Sequence, residues 1–241
     1  MKYLPGKKET IEVQEHPAFL WTPLSETTAN DVPWVWYAPV IWQKRPDDSM
    51  NWTFKKFLDA GIAVAGIDIG ESHGSPQGRR IYSAFYRDLV QQRDFSPKAC
   101  LLPRSRGGLM LYNWAAENAE CVACVAGIYP VCDLMTYPGL KVAGEVYGIA
   151  EDDLAQQLAQ HNPIYRIEPL AKAGVPIFHI HGDEDDLVPL EQNSAELARR
   201  YRKFGGEMQV LIAKKQGHSM WRGFFECGEL VDFVLTHARS L

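Results

Sequence analysis

The chain has 241 residues, enough for one large α/β unit with a well-buried sheet or at most two small domains. Apolar residues make up 46% and charged residues 23%, the balance of a soluble globular protein, and no apolar run approaches the ~18–20 residues that span a bilayer. The net charge of −5 offers no polyanion-binding face, which sets nucleic acid aside as a partner, as the lack of a span sets the membrane aside.

The opening residues lack the apolar stretch of a secretory signal, so the chain as it stands reads as cytoplasmic, or as secreted or periplasmic if a leader was removed. Residues 10–13 and 18–22 are expected to form an antiparallel hairpin. From about residue 33 onward, short strand-like runs alternate with longer helix-like ones, which predicts a mostly parallel twisted sheet with helices on both faces. Residues 33–38 read as a strand and 50–60 as a helix stopped by Gly61. Residues 62–69 are apolar apart from Asp68, the pattern of a strand covered on both faces. A glycine-rich loop at 70–78 precedes a helix at 81–93 and a strand at 98–102. The helix at 107–118 is apolar nearly all round and is therefore expected to be buried. Residues 121–128 form the next strand.

Residues 130–174 break the alternation with several prolines and glycines, and are read as a small cap above the sheet, with a helix at 151–160, inside a single unit spanning 1–241. A strand at 176–181, a helix from Pro189 to the Gly205-Gly206 pair, a last strand at 208–213 and a closing helix at 221–238 complete the pattern. Cys121 and Cys124 match C-x-x-C, but residues three apart on a strand point to opposite faces. All five cysteines are expected to pack as small reduced hydrophobes, with no metal site.

Three segments carry chemistry. Ser105 lies in Leu101-Leu102-Pro103-Arg104-Ser105-Arg106-Gly107-Gly108, where a strand ends and a helix begins. A serine hydroxyl becomes a good nucleophile when an imidazole takes its proton, and that imidazole needs a carboxylate to fix its tautomer. Gly107 and Gly108 leave room for close backbone approach, and the helix N-terminus aims free N–H groups at the turn, Arg106 N–H first among them. Asp185 follows the strand ending at His181, and His218 follows the next strand, so all three fall where strand C-terminal ends gather. The order Ser…Asp…His is that of α/β-hydrolases. Asp183 and Asp186 compete with Asp185 for the acid's place, Asp183 being better placed to brace its loop through backbone N–H groups. His179 and His181, on one strand face, are read as buried and hydrogen-bonded.

On these residues the chain resembles the α/β-hydrolase superfamily over nearly its whole length, and most of all its prolyl-oligopeptidase-like and dienelactone-hydrolase-like branch. Ser105-Arg106-Gly107-Gly108 resembles the branch's nucleophile turn. Asn162-Pro163-Ile164 and Leu170 to Pro176 resemble its approach to the acid strand. His181-Gly182-Asp183-Glu184-Asp185 through Val188-Pro189 resembles its acid loop, with Asp185 at the functional position, and Gln216-Gly217-His218 its histidine loop. The resemblance implies hydrolysis through an acyl-enzyme without a metal or organic cofactor. The chain departs from the pattern in three places. Pro103 stands where G-x-S-x-G has glycine, and the 241 residues are expected to include no β-propeller. No His-Gly pair follows the strand ending at Ala38, where the second oxyanion donor usually lies. Pro39-Val40-Ile41-Trp42 stands there instead, which makes the N–H of Val40 or Ile41 the candidate, proline having none to give.

Arg104 and Arg106 bracket the serine and are the best clue to substrate. Arg106 has two readings: aid to the oxyanion, with a grip on a carboxylate or sugar hydroxyl, or a brace to Asp68 or Glu71. Trp42 and Trp221 lie near the site loops and are candidates for an aromatic platform. The reading is a serine carboxylesterase for small or medium esters, acylated or methyl-esterified carbohydrates among them. Its rivals are a serine peptidase on the same relay and a non-catalytic binding protein of the same fold. Homo-oligomerisation is left open.

Overall fold

The computed structural model describes residues 4–24 and 31–238. The first two strands, β1 (Lys7–Val13) and β2 (His16–Thr22), form the expected hairpin, longer than its apolar pattern because exposed lysine and glutamate positions continue β1. Gln14 and Glu15 turn it with φ of 50° and 64°. Strands β3 (Trp34–Ala38), β4 (Ala63–Ile67), β5 (Ala99–Pro103), β6 (Val122–Ile128), β7 (Ile177–Gly182) and β8 (Met208–Ala213) follow. All eight join one sheet in the order β1-β2-β4-β3-β5-β6-β7-β8, with β2 antiparallel to both neighbours and every later pairing parallel. The expected architecture, a mostly parallel sheet between helices, is what the chain adopts.

The alternation of side chains along the strands divides the core in two. Trp34, Trp36 and Ala38 of β3 and Leu101 of β5 face helices α2 (Pro76–Gln92), α3 (Gly107–Ala115) and α8 (Ser194–Lys203). Val35, Tyr37, Cys100 and Leu102 face α1 (Asn51–Asp59) and α10 (Gly228–His237) on the other side. Trp36 sits among the rings of Tyr82, Phe85 and Trp114, at centroid distances of 5.0, 5.3 and 4.7 Å. Every residue of α3 is buried, which is why that helix carries no polar face.

Several boundaries differ from expectation for local reasons. α2 starts at Pro76 instead of after Gly78, because Ser75 caps it by accepting from Gly78 N–H while proline fills a position that needs no donor. The helix expected from Pro189 is a 3-10 turn at Leu190–Gln192 and then α8, interrupted at Asn193. That side chain is spent elsewhere, its Oδ1 accepting from the N–H groups of Cys132 and Asp133 at 2.8 and 3.1 Å. The closing helix is likewise two pieces, α9 (Arg222–Phe225) and α10, the second capped by the Cys227 sulfur. Between β6 and β7 lie α4 (Leu140–Tyr147), α5 (Glu151–Gln156), α6 (Leu158–His161) and α7 (Glu168–Lys172). The helix expected at 151–160 breaks at Gln157, and α4 carries no sequence signal strong enough to have been foreseen. Leu134, Ala143 and Leu154 of this segment pack on Leu109 and Val188, holding it over the start of α3. All five cysteines are unpaired. Among the described residues no helix is long and apolar enough to cross a membrane.

Gly107 shows how tightly the strand ends are drawn together. A β-carbon there would lie 2.1 Å from the carbonyl oxygen of Ala38, and one on Gly108 2.2 Å from that of Val131. Gly107→Ala is therefore expected to cost about 3 kcal/mol or more, since the obstacle is backbone and has no rotamer to change. Urea unfolding checks this, and a midpoint equal to wild type would show that β3 and α3 part more easily than their contact suggests.

Candidate active site

β5 ends at Pro103, and the chain must reverse within three residues to start α3. Ser105 makes the turn with φ of 51°, a left-handed conformation that costs a non-glycine residue strain. Its N–H donates to Ile128 O at 3.0 Å and its C=O accepts from Val131 N–H at 2.8 Å, so the turn is fastened to the end of β6. The side chain is thereby held clear of the backbone.

His218 arrives from the loop after β8. Its Nε2 is 2.9 Å from Ser105 Oγ, and its Nδ1 is 2.7 Å from Asp185 Oδ2. An ionised carboxylate only accepts, so Nδ1 carries the proton and Nε2 is left to accept from the serine hydroxyl. The other carboxylate oxygen of Asp185 accepts from the N–H groups of Leu187 and Val188 at 3.1 and 2.8 Å. Burial works to raise the Asp185 pKa, but hydrogen bonds from His181, His218 and Val188 outweigh it and hold the carboxyl well below the usual range. The acid loop reaches the histidine loop because Gly182 has no side chain, a β-carbon there falling 2.0 Å from Gln216 O.

The choice among the three acids has a geometric basis. Asp185 is buried, while Asp183 and Asp186 are exposed. Asp183 accepts from Lys215 N–H at 2.6 Å and pairs with Lys214 at 3.2 Å, bracing the loop. Behind Asp185 runs a buried chain of polar groups. Tyr112 Oη is 2.6 Å from His179 Nε2, and Ser194 Oγ lies 2.8 Å from His179 Nδ1 and 2.7 Å from His181 Nδ1. His181 Nε2–H donates to Val188 O at 2.8 Å and faces Asp185 Oδ2 at 3.4 Å. One proton assignment satisfies every link: Tyr112 donates to His179, His179 to Ser194, Ser194 to His181, and His181 to Val188 and Asp185. Burial pushes His179 well below its ordinary pKa, keeping it neutral as that chain requires. These histidines are thus spent on hydrogen bonds, and among the described residues no cluster is arranged to hold a metal.

A cavity of 320 Å³ opens at Ser105 and His218, walled by Arg45, Arg104, Arg106, Tyr129, Leu187 and Met220. The Tyr129 ring lies 4.4 Å from that of His218. Arg106 pairs with Glu71 at 3.1 Å, one of the two acids named for it. Arg106 N–H and Val40 N–H have no acceptor among the described residues. Ile41 N–H is a different case: it donates to Arg45 O at 3.1 Å inside a tight turn and is unavailable to an oxyanion. Arg104 reaches the cavity, but its guanidinium is buried against Asp47, Ser49, the Met220 sulfur and the Phe225 ring.

The two tryptophans proposed as a platform are elsewhere. Trp42 lines a neighbouring cleft of 460 Å³ with Trp21, Lys8 and Lys44, because the turn from Ile41 to Arg45 swings it off the serine's side. Trp221 stacks edge-on against Phe224 at 5.2 Å, and Met220 takes its place at the cavity wall. Arg45, Tyr129 and Met220 are among the lining residues that the sequence did not announce. Each belongs to an irregular loop with no pattern to mark its direction.

A sequence profile of the prolyl oligopeptidase family, peptidase S9, matches residues 83–237, more than half of the chain and all three residues of the Ser105–His218–Asp185 line. The chain belongs to the prolyl oligopeptidase family. Solved structures agree on its α/β-hydrolase fold. The acylaminoacyl peptidase of Pyrococcus horikoshii superposes with a TM-score of 0.74 at 14% identity, over 100% of this chain and 43% of that one. Puromycin hydrolase gives 0.73 at 16% identity over 98% and 39%. An S-formylglutathione hydrolase from Agrobacterium tumefaciens gives 0.73 at 13% identity over 96% and 93%. This family member therefore spans less than half the length of the first two, yet nearly all of the third. No curated protein sequence matches it.

Proposed function

We propose that the chain is a serine hydrolase that cleaves small or medium carboxylic esters through an acyl-enzyme. The observation that carries this reading is the hydrogen-bonded line from Ser105 through His218 to Asp185 at the mouth of a cavity. Ser105 Oγ attacks the carbonyl carbon while His218 Nε2 takes its proton. The N–H groups of Arg106 and Val40, both without an acceptor among the described residues, receive the charge that develops on the carbonyl oxygen. His218 then passes its proton to the leaving alkoxide, and water repeats the cycle on the acyl-enzyme. Asp185 stabilises the imidazolium in each half.

A volume of 320 Å³ lies at the small end of ligand sites, which supports a compact acyl or alcohol group. Acylated or methyl-esterified sugars fit the proposal through the arginines, not through a tryptophan platform, since neither Trp42 nor Trp221 lines the serine's cavity. Family membership favours a second reading, hydrolysis of a peptide bond by the same line. Fluorophosphonate labelling followed by a panel of p-nitrophenyl esters and peptide anilides decides between them. Labelling with kcat/KM at least ~100-fold higher on esters is expected, a gap of about 2.7 kcal/mol in transition-state binding. Anilide turnover equal to or above ester turnover would replace the esterase reading with the peptidase one.

A further inference from the structure

We propose that the serine cavity selects substrates carrying a carboxylate, and that Arg45 is the residue that holds it. The inference rests on Ser105 being the nucleophile and adds the chemical class of what is brought to it.

The cavity's charged lining is one-sided. Arg45, Arg104 and Arg106 reach it, and among the described residues no aspartate or glutamate does. Glu184 and Asp186 line an adjoining surface cleft with Leu187, His218 and Ser219, one that Arg45 does not line. Asp185 is buried behind His218, and Glu71 meets Arg106 from the exposed side. Asp47 lines the neighbouring cleft, where a single oxygen, Oδ2, serves both Arg45 at 3.3 Å and Arg104 at 3.4 Å. Burial works against ionisation of Asp47, but Ser49 and the two arginines overcome it and hold its carboxyl below the usual range. One carboxylate shared by two guanidinium groups leaves a unit of positive charge unbalanced beside the serine.

Of the three arginines, Arg45 has the donors to use that charge. Arg104 is buried and committed on both of its terminal nitrogens. Arg106 carries the proposed oxyanion N–H and pairs outward with Glu71. Arg45 is half-buried and spends only one terminal nitrogen on Asp47, so most of its five N–H donors remain for a ligand. Its backbone is fixed by a closed turn, Ile41 N–H to Arg45 O at 3.1 Å and Arg45 N–H to Ile41 O at 2.7 Å. A planar fork presented from a fixed turn matches a carboxylate with two parallel hydrogen bonds. Tyr129, Leu187 and Met220 supply the apolar wall along which a short carbon chain would run between the reacting carbonyl and that carboxylate. Arg45 also lines the adjoining cleft, where Lys8 and Lys44 stand with Asp47 and Asp48, so its side chain is bordered by open space on that side as well.

The test uses two fluorophosphonates of equal chain length, one ending in a carboxylate and one in a neutral methylamide. In each, the Ser105 Oγ–P bond forms as the P–F bond breaks, fluoride leaves and His218 takes the hydroxyl proton. The readout is therefore independent of whether the natural bond is an ester or an amide. For the wild-type protein the second-order labelling rate is expected to be about 10-fold or more faster for the carboxylate probe, the worth of a charge-assisted hydrogen bond. In Arg45→Gln the ratio of the two rates is expected to fall below about 2. In Arg45→Lys, which keeps the charge but loses the fork, it lies in between, and this variant carries the comparison if the glutamine variant does not fold. A wild-type ratio near 1, or a ratio that Arg45→Gln or Arg45→Lys leaves unchanged, overturns the inference while Ser105 keeps its role. No labelling by either probe overturns the Ser105 reading and this inference together.

Discussion

Ser105→Ala is expected to lower kcat by about 10⁶-fold, the loss seen when the nucleophile of a comparable relay is removed, with no change in fold. The structure separates the two consequences. Among the described residues the hydroxyl hydrogen-bonds only to His218, whereas the turn is held by backbone bonds from Ser105 N–H to Ile128 O and from Val131 N–H to Ser105 O. Alanine keeps those bonds and meets the same left-handed strain, because both residues carry a β-carbon and φ stays at 51°. Thermal unfolding within a few degrees of wild type, with fluorophosphonate labelling abolished, is the expected pair of results. The bland alternative, in which Ser105 is only a polar residue at a helix start, predicts the reverse. Alanine would then shift the melting temperature and leave turnover near wild type. Arg106, not Ser105, holds the N-cap position of α3, and among the described residues Ser105 Oγ bonds to His218 and to no backbone N–H of that helix, which already disfavours that alternative.

How much of this was legible in the sequence depends on whether a feature repeats along the chain. The inner strands β3 to β6 could be read because each is buried enough to be apolar on both faces, Trp34 to Ala38 being the clearest case. Ser105 could be read because two successive glycines after it mark where α3 crosses under β3 and β6. Asp185 stood among three acids, and spacing alone did not separate them. The separation comes from the loop's own backbone: Leu187 and Val188 N–H turn inward to Asp185, while Lys215 N–H from another strand end captures Asp183. The second oxyanion donor was narrowed to Val40 or Ile41, and only the closed turn at Arg45 removes Ile41. Trp42 was misplaced for the same reason. In a loop of five residues, one hydrogen bond decides which side a ring faces, and no periodicity records it. Arg45, Tyr129 and Met220 reach the cavity from three such loops, so their meeting is a property of the assembled sheet rather than of any segment.

Asp185→Asn is expected to lower kcat by about 10⁴-fold although the amide is isosteric. The reason lies in what the carboxylate's two oxygens do. Oδ1 accepts from Leu187 and Val188 N–H, so an asparagine must place its carbonyl oxygen there and its NH₂ where Oδ2 stood. That NH₂ would face His218 Nδ1, now forced to accept, and the histidine proton would move to Nε2, where it blocks uptake of the serine proton. The same NH₂ would also face His181 Nε2–H, donor against donor, at the end of the buried chain from Tyr112. Stability provides the independent check. Because hydrogen bonds from His181, His218 and Val188 outweigh burial and depress the Asp185 pKa in the folded protein, its ionised form stabilises the fold above the unfolded-chain pKa of about 4. That stabilisation is lost as pH falls from there toward the lower folded value. The melting-temperature gap between wild type and Asp185→Asn is therefore expected to be widest near pH 6 and to narrow toward pH 3. A gap that stays constant across that range would mean that the carboxylate is not held ionised by its neighbours. Turnover within tenfold of wild type would mean that it does not set the tautomer of His218.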